Sequence, residues 1–298
     1  MGILEELGQI VSHIQTDEPM KNHTSFKIGG PADYLIEPES TAQLPQIIGV
    51  LRRHGVPYII MGNGSNMLVL DKGIRGAVIK ISGLTSGCTV DGAVIRAEAG
   101  ILMSRLSSVA LKHALAGLEF ASGIPGTLGG GIFMNAGAYG GELKNVVQKV
   151  TYADENGEIK TAEGAELDFG YRHSMFSGRQ CVILSAELEL VPGHYEDIRV
   201  LIADYTKRRT EKQPLAMPSA GSVFKRPAGH FAGGLIEQAG LKCYAIGGAM
   251  VSEKHAGFIV NKGGATAQDV LALIAFIQKT VEEKFSVRLE PEIKIIGE

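Results

Sequence analysis

The chain has 298 residues, 45% hydrophobic and 20% charged, with a formal net charge of -3. That length supports two or three domains with a sizeable core, and the near-neutral balance gives no electrostatic footprint for nucleic acid or a membrane surface. The 39 glycines exceed the usual share of about 7% and fall in short, non-periodic clusters. This excludes collagen-like and low-complexity chains and points to tight turns and close backbone approach to a ligand.

In chain order, Ile3, Leu4, Leu7, Ile10, Val11 and Ile14 recur at helical spacing and predict a helix over 3–14. A polar loop over 22–30 leads to a short strand at 33–37. Ser40 to Gln43 forms a capping-box pattern that opens a helix with Leu44, Ile47, Ile48 and Leu51 on one face. Strands follow at 57–61, 67–70, 77–81 and 93–97, the last after an Asp91-Gly92 hairpin signal. A helix fits 102–115, and strands at 146–153 and 158–161 flank a second hairpin signal at Glu155-Asn156-Gly157. A strand at 181–190, a Pro192-Gly193 break and a helix at 194–212 come next, with a domain boundary near 192–200. The glycine-rich stretch 213–265 holds one short helix near 234–239; Thr266 opens a long helix to about 285, and 287–296 reads as a closing strand. The pattern is that of a mixed α+β protein.

Cys88, Cys181 and Cys243 form no CxxC pair, so neither a disulfide framework nor a zinc site is supported and no metal is expected. They read as small buried hydrophobes in a reducing compartment. The acidic N-terminal stretch is unlike a signal peptide. The longest apolar run, 271–277, is far short of the ~20 residues of a membrane span, which predicts a soluble, cytoplasmic protein.

Three separated segments carry the chemistry. The loop Gly62, Asn63, Gly64, Ser65, Asn66 follows an apolar run. A second glycine-rich loop contains Pro125, Gly126, Thr127, Gly129 and Gly130 and runs on to Asn135 and Gly137. Each reads as a turn or as a phosphate cradle. Two cradles in one chain suggest a dinucleotide. Met67 stands where a Rossmann fingerprint needs its third glycine, and no Gly-Lys-Ser/Thr follows either loop, so a nicotinamide Rossmann domain and a P-loop hydrolase are disfavoured. The third segment sets Ser222 between Gly221 and Val223, outside an esterase elbow pattern. Arg172 beside Tyr171 is either a surface ion-pair partner or a two-pronged carboxylate clamp. Glu290 and Glu292 share a face if the terminal strand is regular, whereas Pro291 between them either breaks that regularity or marks an edge; a buried carboxylate there needs a partner. Arg208, Arg209 and Lys212 end a helix as solvated charge or as a phosphate-binding cluster.

Taken together these segments, from Asn22–Asp33 to Leu289–Glu292, closely resemble the UDP-N-acetylenolpyruvoylglucosamine reductases, which act in peptidoglycan precursor synthesis. The short stretch between Tyr171 and Cys181 is similar to the family's second type, which lacks an inserted tyrosine-bearing loop. The resemblance implies an α+β fold: a two-subdomain FAD-binding part of the vanillyl-alcohol-oxidase (PCMH) kind plus a separate α+β substrate-binding domain. It implies residues 1–80 with 288–298 as the first FAD subdomain, 81–195 as the second and 196–287 as the substrate domain. Noncovalent FAD, with NADPH as reductant, is implied against the two glycine loops, Asn135 and Gly137. The implied substrate is UDP-N-acetylglucosamine enolpyruvate, whose terminal enolpyruvyl carbon receives hydride from reduced FAD. Ser222 matches the family's proton donor, and Arg172 and Glu292 match its carboxylate-polarising pair. A cation on that carboxylate stabilises the charge developing after hydride addition, and a glutamic acid assists only if it carries or shares a proton. Tyr171, Lys212 and Arg226 fall at substrate-side positions, Arg226 where some members have asparagine. Cys243 stands where glycine is expected. An oxidase of the wider FAD fold family and a non-catalytic UDP-sugar-binding module are the alternatives to the reductase reading.

Overall fold

A computed structural model describes residues 2–298. The chain divides into two compact units. The first comprises Met1–Thr16, Tyr34–Asn63 and Gly76–Arg209; the second comprises Asp17–Asp33, Gly64–Arg75 and Thr210–Glu298. The last division falls within the final turn of the helix Tyr195–Lys212, so residues 196–209 group with the first unit.

The first unit is organised by an antiparallel five-stranded sheet in the order Ile159–Glu163, Val147–Ala153, Val182–Glu189, Val94–Glu98, Cys88–Asp91. Both hairpins signalled by glycine dipeptides are present. Asp91 pairs with Val94 across a two-residue turn in which Gly92 has φ +59°. Asp154 organises the other turn by accepting the amides of Asn156 and Glu158 at 2.8 and 3.0 Å. The helix Met103–Lys112 buries Met103, Leu106, Ser107 and Ala110, an i, i+3, i+4, i+7 stripe. The helix Leu44–Arg53 buries Leu44, Ile47, Ile48 and Leu51, as its periodicity predicts. Its entry is the Ser40 capping box: Ser40 Oγ accepts from Ala42 N and Gln43 Oε1 accepts from Ser40 N. The strands Tyr58–Met61 and Ile74–Lys80 pair in parallel over Tyr58↔Ala77 to Met61↔Lys80.

The second unit holds a four-stranded antiparallel sheet, ordered Ser219–Ser222, Phe258–Asn261, Ala249–Val251, Ala245–Ile246, and the helix Ala267–Phe285. Val270, Leu273, Ile274, Ile277 and Val281 line the buried face of that helix, among Phe26, Leu68, Val223 and Ile259. The helix start is satisfied three ways. Thr266 Oγ1 accepts Asp269 N, Asp269 Oδ2 accepts Thr266 N, and the distant Asp71 accepts Ala267 N and Gln268 N at 2.8 and 3.0 Å. The terminal strand Lys294–Ile296 runs parallel to Met67–Val69.

Four expectations are corrected. The first helix spans only Ile3–Gly8, and His13–Pro19 is a strand; Gly8 weakens the helix, and pairing overrides the apolar period beyond it. The glycine-rich stretch 213–265 holds four strands besides its helix Ala232–Gln238, because glycine there serves turns between very short strands. The closing strand is confined to Lys294–Ile296. The residues before it are irregular apart from an isolated bridge of Pro291 to Phe224, and proline removes the donor a regular ladder needs. Cys243 is exposed and Cys88 and Cys181 are half-buried, so none is a fully buried hydrophobe. Burial pushes the Cys181 thiol up to about 11.

Candidate active site

The two glycine-rich loops meet. Asn63 Nδ2 donates to Pro125 O at 2.6 Å, and a Cβ placed on Gly62 would strike Thr127 Oγ1. Thr127 is 2% exposed and caps the helix Leu128–Phe133. The Leu128 and Gly129 amides are spent on Ile101 O and Ala99 O, both at 2.8 Å. A Cβ on Gly129 would lie 2.9 Å from Ala99 Cβ, whereas one on Gly130 would meet nothing closer than Thr127 Oγ1 at 3.5 Å. The glycines thus divide into two kinds. Gly62 and Gly129 lack side chains because protein packs against them; the exposed Gly130 lacks one with open space in front. A backbone bare toward open space fits a phosphate-bearing cofactor. Gly64 has φ +61° and its carbonyl accepts from Ser25 N at 3.2 Å. Ser65 is half-buried, and Asn66 Nδ2 donates to Glu292 O at 3.3 Å. Gly126 O accepts from Met103 N at 3.0 Å.

Asn135 is 1% exposed with φ +44°. Both its amide hydrogens are spent inside the protein, on Glu142 Oε2 at 2.7 Å and Gly170 O at 3.0 Å, and its Oδ1 accepts from Lys144 N at 2.9 Å. Gly137 pairs with Glu142 in the adjoining two-stranded turn. Arg172 lies at the tip of a tight loop closed by Gly170 and His173, which exchange backbone hydrogen bonds of 3.0 and 3.3 Å. It has φ +54°, and its guanidinium carbon sits 5.2 Å from the Tyr171 ring centroid, a cation–π distance. Tyr171 is 57% exposed.

Ser222 ends the strand Ser219–Ser222, which pairs with Phe258–Asn261. The register breaks between Ser219 and Ser222, where Gly221 has φ +78°. Such a bulge re-aims the next side chain, and Ser222 Oγ donates to Phe224 O at 3.2 Å. Glu292 N donates to Val223 O at 2.7 Å, so the residues matched to proton donor and carboxylate lie on adjoining backbone segments. Glu290 is exposed and pairs with Lys225 at 3.0 Å, whereas Glu292 is half-buried. Lys212 is exposed at its helix end, and Arg226 stacks over the Phe231 ring at 4.0 Å. Arg172 belongs to the first unit, and Ser222, Glu292, Lys212 and Arg226 to the second.

Three residues carry more than the sequence reading gave them. Arg209, read as part of a helix end that is either solvated charge or a phosphate-binding cluster, is half-buried, and burial lowers its pKa. His255 is held below the usual histidine range by burial, and its Nδ1 accepts Gly257 N at 3.1 Å. A Cβ on Gly257 would fall between the two side chains, 3.1 Å from His255 Nδ1 and 3.5 Å from Ser222 Oγ. A lone histidine in a glycine-rich stretch gives no signal of this in sequence.

A family profile described as "FAD binding domain" matches residues 32–163, and one described as "UDP-N-acetylenolpyruvoylglucosamine reductase, C-terminal domain" matches 213–296. A protein of Caldanaerobacter subterraneus subsp. tengcongensis named UDP-N-acetylenolpyruvoylglucosamine reductase is 54% identical over 298 residues, covering 99% of this chain and 98% of that protein. The chain belongs to the UDP-N-acetylenolpyruvoylglucosamine reductase family. The crystal structure of such a reductase from Thermus caldophilus superposes with a TM-score of 0.81 at 34% identity, over 96% of this chain and 98% of that one. A Phl p 4 variant described as a glucose oxidase shares the fold alone, with a TM-score of 0.51 at 16% identity over 65% of this chain and 45% of that one. The fold of this family member is accordingly α+β, with an FAD-binding part of the vanillyl-alcohol-oxidase (PCMH) kind and a separate α+β domain.

Proposed function

We propose that this reductase family member converts UDP-N-acetylglucosamine enolpyruvate to UDP-N-acetylmuramate in the cytoplasm, for peptidoglycan precursor synthesis, with noncovalent FAD and NADPH. The observation that carries the reading is the 54% identity to a protein of that name along essentially the whole chain. In this reading residues 1–80 with 288–298 and residues 81–195 hold the cofactor, and 196–287 takes the substrate. Gly62 to Asn66 and Pro125 to Gly130 would cradle the pyrophosphate, Gly130 with a backbone bare toward open space. When bound, FAD supplies hydride chemistry, drawing on NADPH and serving the terminal enolpyruvyl carbon.

The chain's own residues do the rest. Arg172 clamps the substrate carboxylate through two parallel hydrogen bonds and stabilises negative charge as it develops. Glu292, sharing a proton, lies against the same carboxylate. Ser222 gives its hydroxyl proton to the carbon next to the carboxylate, which requires the hydroxyl to leave Phe224 O. Serine is a weak acid, so its contribution depends on preorganised geometry. Tyr171, Lys212 and Arg226 hold the nucleotide-sugar end. The test is NADPH consumption by FAD-loaded protein with and without the enolpyruvyl substrate, followed by the same assay on Ser222→Ala. Substrate-dependent consumption yielding UDP-N-acetylmuramate is expected. Ser222→Ala keeps NADPH-driven flavin reduction and loses roughly 10²–10⁴ in substrate reduction, the range of a positioned acid. An unchanged substrate half-reaction removes Ser222 from the chemistry.

A further inference from the structure

We infer that Asn135 is a positioning residue for Arg172, holding the arginine loop in shape through the Gly170 carbonyl rather than contacting cofactor with its side chain. The inference rests on the role proposed above for Arg172. Three observations converge on it. The Asn135 side chain is buried, and its carboxamide joins three backbone or side-chain groups from two segments: Lys144 N and Glu142 Oε2 on one side, Gly170 O on the other. The Gly170 carbonyl belongs to the residue that closes the loop, because Gly170 and His173 exchange both backbone hydrogen bonds and leave Tyr171 and Arg172 as its two-residue tip. Arg172 itself sits at φ +54°, a conformation that a non-glycine residue keeps only where its surroundings over-determine it.

The chemistry of the carboxamide fits this task better than any neighbour of similar size. Aspartate would retain the acceptor for Lys144 N but would turn a carboxylate toward the Gly170 carbonyl and the Glu142 carboxylate, where two donors are required. Leucine fills the volume but leaves Lys144 N without its partner and strips one hydrogen bond each from Gly170 O and Glu142. Asn135 at φ +44° is also tolerated there because short polar side chains visit the left-handed region. Glu142 is in turn ion-paired to Lys144 Nζ at 2.6 Å, so the acceptor that fixes the amide orientation is itself fixed.

The experiment compares Asn135→Asp, Asn135→Gly, Arg172→Lys and the double variant N135D/R172K. Stopped-flow flavin absorbance follows the NADPH and substrate half-reactions separately, and hydrogen exchange follows the Gly170 and His173 amides in flavin-free protein. N135D is expected to slow the substrate half-reaction tenfold or more while flavin reduction stays within twofold. In the R172K background it should add less than a threefold further loss. N135G, which keeps the backbone conformation, should speed exchange at Gly170 and His173 tenfold or more, and this holds even if N135D folds poorly. Equal slowing of both half-reactions, full multiplication of the N135D and R172K effects, or unchanged exchange in N135G overturns the inference. An R172K enzyme with a wild-type substrate half-reaction instead overturns the role of Arg172 itself.

Discussion

Replacing Gly130 by alanine separates a cofactor cradle from a merely crowded loop. The new methyl group would have no protein atom closer than Thr127 Oγ1 at 3.5 Å, an ordinary contact. Gly130 lies in the helix Leu128–Phe133, where alanine is favoured over glycine by up to about 1 kcal/mol. The flavin-free protein should therefore be as stable as wild type or slightly more so. If the open side of Gly130 receives the pyrophosphate, the methyl group obstructs at least one hydrogen bond to a charged oxygen, worth about 1.5–3 kcal/mol. That corresponds to FAD binding weakened about 10- to 150-fold, at tenfold per ~1.4 kcal/mol. The assay is FAD titration of flavin-free protein by quenching of flavin fluorescence, paired with urea denaturation of the same sample. FAD affinity within twofold of wild type at unchanged stability would refute the assignment of this loop as the cradle.

Cys243→Gly should raise stability by about 0.5–1 kcal/mol. Its φ of +61° strains a side chain by about 1–2 kcal/mol, partly offset by the extra freedom of glycine in the unfolded chain. Cys243→Ala, which keeps the Cβ, should give no gain in the same chemical denaturation, and an equal gain from both would reject the strain argument. Asp71→Ala strips two hydrogen bonds from the first turn of the helix Ala267–Phe285 and should lower stability by about 1–3 kcal/mol, with Asp71→Asn recovering part of it; a loss below about 0.3 kcal/mol would show the cap to be idle. Acid should loosen the Asp154 turn. The Lys160 hydrogen bond, with the backbone amides, holds the Asp154 carboxyl below its ordinary range. Its stabilisation is thus complete above about pH 4, where the unfolded carboxylate is ionised, and is lost as pH falls through the lower folded value. Asp154→Asn should flatten that part of an acid-unfolding curve, and an unaltered curve would exclude this carboxylate from the acid response.

Where one local rule governs, the sequence alone was sufficient. Ser40 and Gln43 announced their capping box, Thr266 its long helix, and Asp91-Gly92 and Asn156-Gly157 their hairpins, because capping and turn chemistry act within four residues. The two glycine loops were legible as possible cradles for the same reason, and the order of motifs from Asn22 to Glu292 carried the family resemblance. The short strands of 219–261 were not legible, since two to four residues hold too little pattern and their pairing is decided by partners elsewhere in the chain. Only the tertiary structure could bring Asp71 to a helix start 196 residues away, set the Glu292 backbone on Val223, or turn Asn135 onto Gly170. It also decided which glycines have protein packed against them and which face open space: Gly129 and Gly130 are identical in sequence, and the neighbours that fill one side and leave the other open arrive only when the chain folds.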